Sequence, residues 1–192
     1  CSNIGNAMWN YRMLAATGEC RFADAMERVL YNSLLSAVSI DGKRFFYCNP
    51  LSWDGTEGKG HHTGQRWTTE CNCYCCPPSV ARTIAKLHNW AYNVSDGGVW
   101  LNLYGGSRLA TQLPDGSPIG LTQETDYPWD GRITIRIDRA PDRPVSMMLR
   151  IPAWAEGSTC RVDGRLLGRP LKAGSYVAVR RTWSAGDVIE LS

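Results

Sequence analysis

Apolar residues at helical spacing organise the first part of the chain. Their recurrence every three or four positions predicts a helix over residues 4–15, and Gly18 is placed to end it. The same spacing predicts a second helix over residues 22–34, with Asp24 and Arg28 four positions apart as an exposed ion pair. Both helices have one apolar face, so we expect both to be half buried.

The pattern between residues 38 and 92 predicts a hairpin, a long loop and a third helix. Two short apolar runs flank the turn dipeptide Asp41-Gly42 and predict the hairpin. Residues 49–69 are rich in Gly, Ser, Thr and polar side chains and predict a long loop, a kind of segment that is often functional. Helical spacing returns at about residues 78–92, after two prolines that favour a first helical turn.

Beyond residue 98 the pattern changes from helical spacing to alternation, which is typical of strands. Gly, Pro and Asp turn clusters separate the apolar runs, and this rhythm predicts an antiparallel β-sandwich. The break Ser-Asp-Gly-Gly at residues 95–98 sets the boundary. We therefore predict an α+β multidomain chain, with a helical domain over 1–95 and a β-sandwich domain over 96–192. The predicted strands cover residues 99–103, 133–137, 145–151, 176–179 and 188–191.

Composition excludes two classes of partner. The chain has 192 residues, of which 43% are hydrophobic, enough for a sizeable core. Its formal charge of +3 comes from scattered Lys and Arg, and no basic run suits a nucleic-acid backbone. No apolar run approaches the roughly 18 residues that a membrane span needs. We expect neither nucleic acid nor a membrane as partner.

Half of the eight cysteines lie within the segment ECNCYCCPP, residues 70–78. Such a cluster indicates a soft-metal site, a disulfide knot or a reactive cysteine. A bridge between the neighbours Cys75 and Cys76 would strain disulfide geometry. Both lie at the predicted start of the third helix, where unpaired N–H groups favour an anion such as a thiolate. Clustered thiols also favour a reducing compartment, so we expect the protein to be cytoplasmic.

Zinc normally takes four N or S ligands in a structural site, so two adjacent cysteines need further ligands. Cys71 and Cys73 are alternative ligands, or pocket and packing residues. Cys20, Cys48 and Cys160 are interpreted as small core or loop residues.

Several segments together carry a resemblance to a known family. They are Cys1 with the helix after it, FADAMERVLYNSLLSAVSIDGKRFFYCNPL at 22–51, CCPPSVARTIAKL at 75–87, VWLNLY at 99–104, LRIPAWA at 149–155 and WSAGD at 183–187. The chain resembles the β-L-arabinofuranosidases of glycoside hydrolase family 127. The resemblance implies the end of an (α/α) barrel catalytic domain followed by a β-sandwich.

The resemblance also implies a zinc ion held by three cysteines and one glutamate. Matched by motif, the thiolate ligands are Cys1, Cys75 and Cys76, and Cys75 is also the nucleophile. Tyr47, in the FFY motif, lies in the sugar pocket. The family's zinc glutamate is expected two residues before Cys1 and its acid/base glutamate further upstream. We therefore expect a fragment that carries part of the site and need not turn over substrate by itself.

The implied function is a retaining glycoside hydrolase that releases β-L-arabinofuranose. The expected partners are a glycan or glycoconjugate that contains arabinofuranose, and a second copy of the chain in a homodimer.

Two other interpretations remain open. In the first, the cysteines form a structural zinc module that is fused to a carbohydrate-binding sandwich. In the second, the protein is a Cys/His hydrolase in which His61 or His62 activates Cys75. Trp53, Trp67 and Trp90 are either sugar-stacking or core residues.

Overall fold

The computed structural model describes residues 1–47, 52 and 75–192, together with the backbone of residues 66–67. Its described part is a mixed α+β structure with helices at the start and β-sheets thereafter, which confirms the predicted class. Cys48, Cys71, Cys73, His61, His62 and Trp53, and most of the predicted loop over 49–69, lie outside the described residues. No helix of the described part is long and apolar enough to cross a membrane.

The two predicted N-terminal helices are present. α1 spans Ser2–Thr17, and Gly18 ends it in the left-handed conformation (φ 68°), donating its N–H to the Leu14 carbonyl. α2 spans Cys20–Val29 and continues directly as a π-helical segment, Leu30–Leu35. Both helices bury an apolar face, as the spacing predicts.

The predicted hairpin forms as a tight turn. Val38 bridges Phe45, and Gly42 takes the positive φ of 71° that this turn requires. β1 (Phe45–Phe46) then pairs with β2 (Arg66–Trp67).

The third predicted helix ends earlier than its apolar spacing indicates. α3 spans Cys76–Lys86 and the short α4 spans His88–Ala91, with a break at Leu87. Tyr92, which the prediction placed in this helix, begins a strand instead, because it pairs with Leu101.

The remaining strands form two sheets. The six-stranded sheet has the order β10-β9-β12-β7-β6-β5, and the four-stranded sheet has the order β11-β8-β4-β3. The strands are β3 (Tyr92–Ser95), β4 (Gly98–Leu101), β5 (Ser107–Gln112), β6 (Pro118–Glu124), β7 (Ile133–Arg139), β8 (Pro144–Ile151), β9 (Cys160–Val162), β10 (Arg165–Leu166), β11 (Ser175–Thr182) and β12 (Val188–Leu191).

The six-stranded sheet is antiparallel throughout, as predicted, but the four-stranded sheet is not. β4 and β8 run parallel, with Val99 opposite Met147 and Leu101 opposite Leu149. The prediction of a wholly antiparallel β region was therefore wrong at this pair. The two strands are far apart in sequence, so no hairpin fixes their direction. β3 pairs with β4 across the predicted boundary at 95/96, and the division into two domains stays a prediction.

The two sheets share one core. Buried residues of the four-stranded sheet, such as Leu101 and Met147, belong to the same cluster as Leu121, Ile135 and Ile189 of the six-stranded sheet. A second cluster joins the helices around Ala23 and Met26, which are fully buried, and Trp90 belongs to it. Of the two roles considered for Trp90, sugar stacking and core packing, the structure shows core packing.

An ion cluster joins α2 to β8. The fully buried guanidinium of Arg150 donates from Nη1 to Asp24 Oδ1 at 2.6 Å and from Nη2 to Glu27 Oε2. Asp24 Oδ2 also accepts the Ala153 N–H at 3.1 Å. The predicted surface pair of Asp24 with Arg28 was wrong, because Asp24 turns inward to a buried charge. Burial lowers the pKa of Arg150, but the charges of Glu27 and Asp24 outweigh it and the net pKa is raised.

Candidate metal and catalytic centre

Three cysteine sulfurs that are distant in sequence come together at one point of the fold. The Sγ atoms of Cys1, Cys75 and Cys76 all lie within 4.8 Å of one another. Cys76 Sγ is 3.9 Å from Cys1 Sγ and 3.7 Å from Cys75 Sγ. These separations are well beyond the roughly 2.05 Å of a disulfide bond. The predicted ligand set is therefore assembled in space.

Two helix starts position these sulfurs. Cys1 immediately precedes α1, and Cys75 immediately precedes α3, in which the prolines at 77 and 78 occupy the first turn. The Cys1 carbonyl accepts the Gly5 N–H, and the Cys75 carbonyl accepts the Ser79 N–H. The positive ends of both helix dipoles are thus at the cysteine cluster, where they favour thiolates over thiols.

Side chains further along the chain connect α1 to α4, the short helix that follows α3. Tyr11 of α1 stacks on Trp90 of α4 with ring centroids 5.7 Å apart, and its hydroxyl donates to the Asn89 carbonyl at 3.1 Å. These contacts pack α1 against the α3–α4 segment. The cluster geometry therefore depends on the packed helical core as well as on the cysteines.

The cluster fits zinc. A tetrahedral zinc with Zn–S bonds of about 2.3 Å holds its sulfurs about 3.8 Å apart. The Cys76 sulfur lies 3.9 Å from the Cys1 sulfur and 3.7 Å from the Cys75 sulfur, on either side of that value, and all three sulfurs lie within 4.8 Å of one another. Three sulfur donors leave one position of a tetrahedral site for a further ligand. Thiolate donors also favour zinc over hard cations such as Mg²⁺ or Ca²⁺.

The three cysteines differ in exposure. Cys1 and Cys75 are exposed, whereas Cys76 is only 7% exposed. A substrate approaching from solvent therefore reaches the Cys75 sulfur more readily than the Cys76 sulfur. Since Cys1 is also exposed, exposure alone does not distinguish it from Cys75 as a nucleophile.

The other predicted site residues separate into distinct groups. Tyr47 follows β1 and is 40% exposed, so its ring is accessible, and its place in a sugar pocket stays a prediction. Cys20 and Cys160 are buried, as predicted. Burial raises the pKa of Cys20 to about 12, with the Asp24 charge adding to the effect, and burial raises the pKa of Cys160 to about 11. Neither buried thiol belongs to the cluster.

The alternatives built on residues 48–74 stay open. His61 and His62, the bases of the Cys/His hydrolase interpretation, lie outside the described residues, as do the alternative ligands Cys71 and Cys73. His88 is described and lies at the start of α4, where it is exposed.

Sequence reasoning assigned no function to one further group of residues. Tyr104, Tyr127, Arg150 and Trp154 line a cleft of about 260 Å³ beside the Arg150 ion cluster. Two family motifs, at residues 99–104 and 149–155, contain residues of this cleft, and neither carried a chemical role. The residues of the cleft come from distant segments of the chain, so no local sequence pattern marks it.

Comparison with known proteins identifies the family. The model of the β-L-arabinofuranosidase GH127 catalytic domain matches residues 1–89, and the model of the GH127 middle domain matches residues 98–192. A non-reducing end β-L-arabinofuranosidase of Bifidobacterium longum subsp. longum is 30% identical over 200 residues, covering all of this chain and 30% of the relative.

Solved structures agree. A protein titled glycoside hydrolase superposes with a TM-score of 0.92 at 40% identity, over 100% of this chain and 32% of that one. A GH127 β-L-arabinofuranosidase from Geobacillus stearothermophilus T6 superposes with a TM-score of 0.86 at 35% identity, over 98% of this chain and 30% of that one. The chain thus spans about a third of the length of these relatives. With the two matched segments in the family's order and the same fold in its solved members, the chain belongs to the GH127 β-L-arabinofuranosidase family.

Proposed function

We propose that this chain forms part of a retaining glycoside hydrolase that releases β-L-arabinofuranose, with Cys75 as nucleophile and Cys1, Cys75 and Cys76 as zinc ligands. The observation that carries the proposal is the convergence of three sulfurs within 4.8 Å at two helix starts. In this proposal the helices are the end of an (α/α) barrel, and the two sheets form the β-sandwich that follows it. The substrate is a glycan or glycoconjugate that contains arabinofuranose.

Zinc bound by these three residues would keep their sulfurs deprotonated and ready to act as anions. Other features of the chain also favour thiolates and distinguish the three sulfurs. The ends of α1 and α3 stabilise negative charge on the sulfurs, and burial of Cys76 reserves that sulfur for a structural role. Cys75, at the exposed side of the cluster, remains in reach of a sugar.

The reaction proceeds in two displacements. The Cys75 sulfur attacks the anomeric carbon, forming a C–S bond while the glycosidic C–O bond breaks, and the leaving oxygen takes a proton from a carboxylic acid. Water then attacks the same carbon, its proton returns to that carboxylate, and the C–S bond breaks. Two inversions give net retention. The carboxylic acid belongs to the residues that the family places upstream of Cys1.

Selection of Cys75 over Cys1 rests on the family motif, because both sulfurs are exposed. The motif match assigns Tyr47 to sugar binding, and its partial exposure permits that contact. An aromatic ring provides an apolar face for a sugar ring, and its hydroxyl provides a donor and an acceptor.

The test is made on a protein that carries this chain together with the rest of the catalytic domain. After rapid quenching of a reaction with an aryl β-L-arabinofuranoside, intact-mass and peptide mass spectrometry should find one pentose on Cys75. Cys75→Ser should abolish both the adduct and turnover. Cys160→Ser, at a buried thiol outside the cluster, is the matched control and should retain both. An adduct that persists in Cys75→Ser, or one found on Cys1, contradicts the assignment.

The same protein distinguishes the structural-zinc interpretation from the proposed function. It predicts bound zinc with no cleavage of the aryl arabinofuranoside and no adduct on any cysteine. The proposed function requires zinc, cleavage and the Cys75 adduct together.

A further inference from the structure

The cleft beside the Arg150 ion cluster has the chemistry of a sugar-binding site. It has a volume of about 260 Å³, and its walls come from β8 and the segment after it, from Tyr104 and from the segment that contains Tyr127. None of the clustered cysteines lines it. The cleft is therefore separate from the centre to which the proposed function assigns catalysis.

An exposed aromatic pair forms one wall. Trp154 is 63% exposed, and its indole lies nearly parallel to the Tyr127 ring, at 24° and with centroids 6.4 Å apart. Trp154 Nε1 donates to Glu27 Oε1 at 3.4 Å, which holds the indole in place. Tyr127 is held in turn by edge contacts with Tyr31 and Tyr104. A fixed, exposed indole face suits the apolar C–H face of a sugar ring.

A buried donor without a partner lies at the same cleft. Arg150 lines it, and its Nε–H has no hydrogen-bond partner among the described residues, although the side chain is fully buried. Both Nη atoms are occupied by Asp24 and Glu27, so the guanidinium cannot turn to satisfy Nε. The Arg150 side chain therefore forms a rigid part of the cleft wall, and its Nε is closed off from solvent.

The charges around the cleft select against anions. Arg150 contributes one positive charge, whereas its partners Asp24 and Glu27 contribute two negative charges. Glu156, which also lines the cleft, is exposed and adds a further negative charge. A neutral ligand with hydroxyl groups and an apolar face meets these conditions, while a carboxylate or a phosphate does not.

We propose that this cleft binds a neutral sugar ring, stacked on Trp154 and hydrogen-bonded by a hydroxyl group to the exposed Glu156 carboxylate. The site would hold a glycan chain on the β region while a different residue of that chain is cleaved elsewhere. Its size is below the roughly 300–1,000 Å³ of sites for drug-sized ligands, which suits a single ring or two.

The test titrates the ¹⁵N-labelled chain with methyl β-L-arabinofuranoside and with cellobiose, two neutral probes, and with D-glucuronate as the anionic probe. The indole N–H resonance of Trp154, assigned by its loss in Trp154→Ala, should shift saturably with at least one neutral probe and remain in place with D-glucuronate. Trp154→Ala should weaken binding at least tenfold, judged from the resonances of neighbouring backbone amides. Trp129→Ala is the matched control, because Trp129 is 92% exposed and does not line the cleft.

Three results would overturn the proposal: no shift with either neutral probe, equal binding by wild type and Trp154→Ala, or equal binding of D-glucuronate. Because Trp154 is exposed, Trp154→Ala should fold, and its thermal unfolding midpoint is measured alongside; Trp154→Phe, which keeps an aromatic face, should retain part of the affinity. Repeating the titration with a zinc chelator separates this site from the proposed function. Binding at the cleft should be unaffected by the chelator, whatever the outcome at the cysteine cluster.

Discussion

The Sγ atoms of Cys1 and Cys76 lie 3.9 Å apart although 75 positions separate the two residues in sequence. Packing of α1 against the α3–α4 segment, which includes the stack of Tyr11 on Trp90, brings them together. Local sequence therefore supplies two of the three sulfurs, and the helical core supplies the third. The proposed metal centre depends on this tertiary contact.

Replacing Arg150 should strongly destabilise the fold. Arg150→Met removes the positive charge between Asp24 and Glu27 and leaves two carboxylates facing each other in a buried site. Breaking a buried ion pair from one side costs about 3–5 kcal/mol. Urea unfolding followed by circular dichroism should show a loss of that order.

The control for Arg150 is Arg132→Met, which removes an ion pair between Arg132 and Asp130 that is exposed to solvent. Its unfolding midpoint should match that of the wild type, because water screens exposed pairs. Equal losses in both variants would show that the buried cluster does not join α2 to β8 in the way described.

Gly98 should not tolerate a side chain. Its φ is 145°, and an added Cβ would overlap the Ser146 carbonyl oxygen and lie 2.8 Å from its carbonyl carbon, at the parallel contact of β4 with β8. Backbone strain alone costs about 1–3 kcal/mol, and the clash adds to it. Gly98→Ala should therefore lower the thermal midpoint markedly or prevent folding.

The matched change is Gly106→Ala, where an added Cβ meets nothing within 4 Å. It should leave the thermal midpoint close to that of the wild type. If the two variants melt alike, the parallel pairing of β4 and β8 is wrong.

The buried thiols should resist alkylation. Cys20 has a pKa raised to about 12, first by burial and then by the Asp24 carboxylate, so its thiolate is scarce at pH 8. In zinc-free native chain, iodoacetamide should modify the exposed Cys1 and Cys75 first and leave Cys20 and Cys160 unmodified until urea is added. Peptide mass spectrometry reads the order. Early modification of Cys20 would contradict its burial.

Ionisation of the Cys20 thiol should make the fold less stable at alkaline pH. The folded pKa of Cys20 is about 12, above the roughly 8.5 of an unfolded cysteine, so the folded state holds the proton more tightly. This contribution is complete below about pH 8.5 and is lost as the pH rises toward 12. Between pH 8 and 10.5 the wild type should lose about 2–3 kcal/mol more unfolding free energy than Cys20→Ser. Parallel losses in both proteins would show that Cys20 does not titrate in this way.

The sequence predicts contacts between residues that are close along the chain better than contacts between residues that are far apart along it. Apolar spacing predicts α1 and α2, since a helix is set by residues three and four apart, and alternation predicts most strands. It cannot predict that Asp24 pairs with Arg150, 126 positions away, in place of its neighbour Arg28. The parallel direction of β4 and β8 is likewise a tertiary property.

The candidate site also contains some residues that the local sequence marks and others that it does not. Cys75 and Cys76 stand out locally, because two thiols precede two prolines and a helix. Cys1 was identified only through the family resemblance, and the structure brings its sulfur to the cluster. The cleft at Trp154 was missed, because its residues come from segments that only the folded sheets bring together.

The metal content of the chain tests the thiolate centre most directly. Purified with zinc present and dialysed, the chain should hold one zinc per molecule by native mass spectrometry and elemental analysis. Cobalt put in its place should give the intense near-ultraviolet absorption of thiolate ligation. The triple variant Cys1→Ser, Cys75→Ser, Cys76→Ser should lose both, whereas the double variant Cys20→Ser, Cys160→Ser should keep both. A wild-type chain without bound zinc, or a triple variant that still binds it, would contradict the thiolate centre.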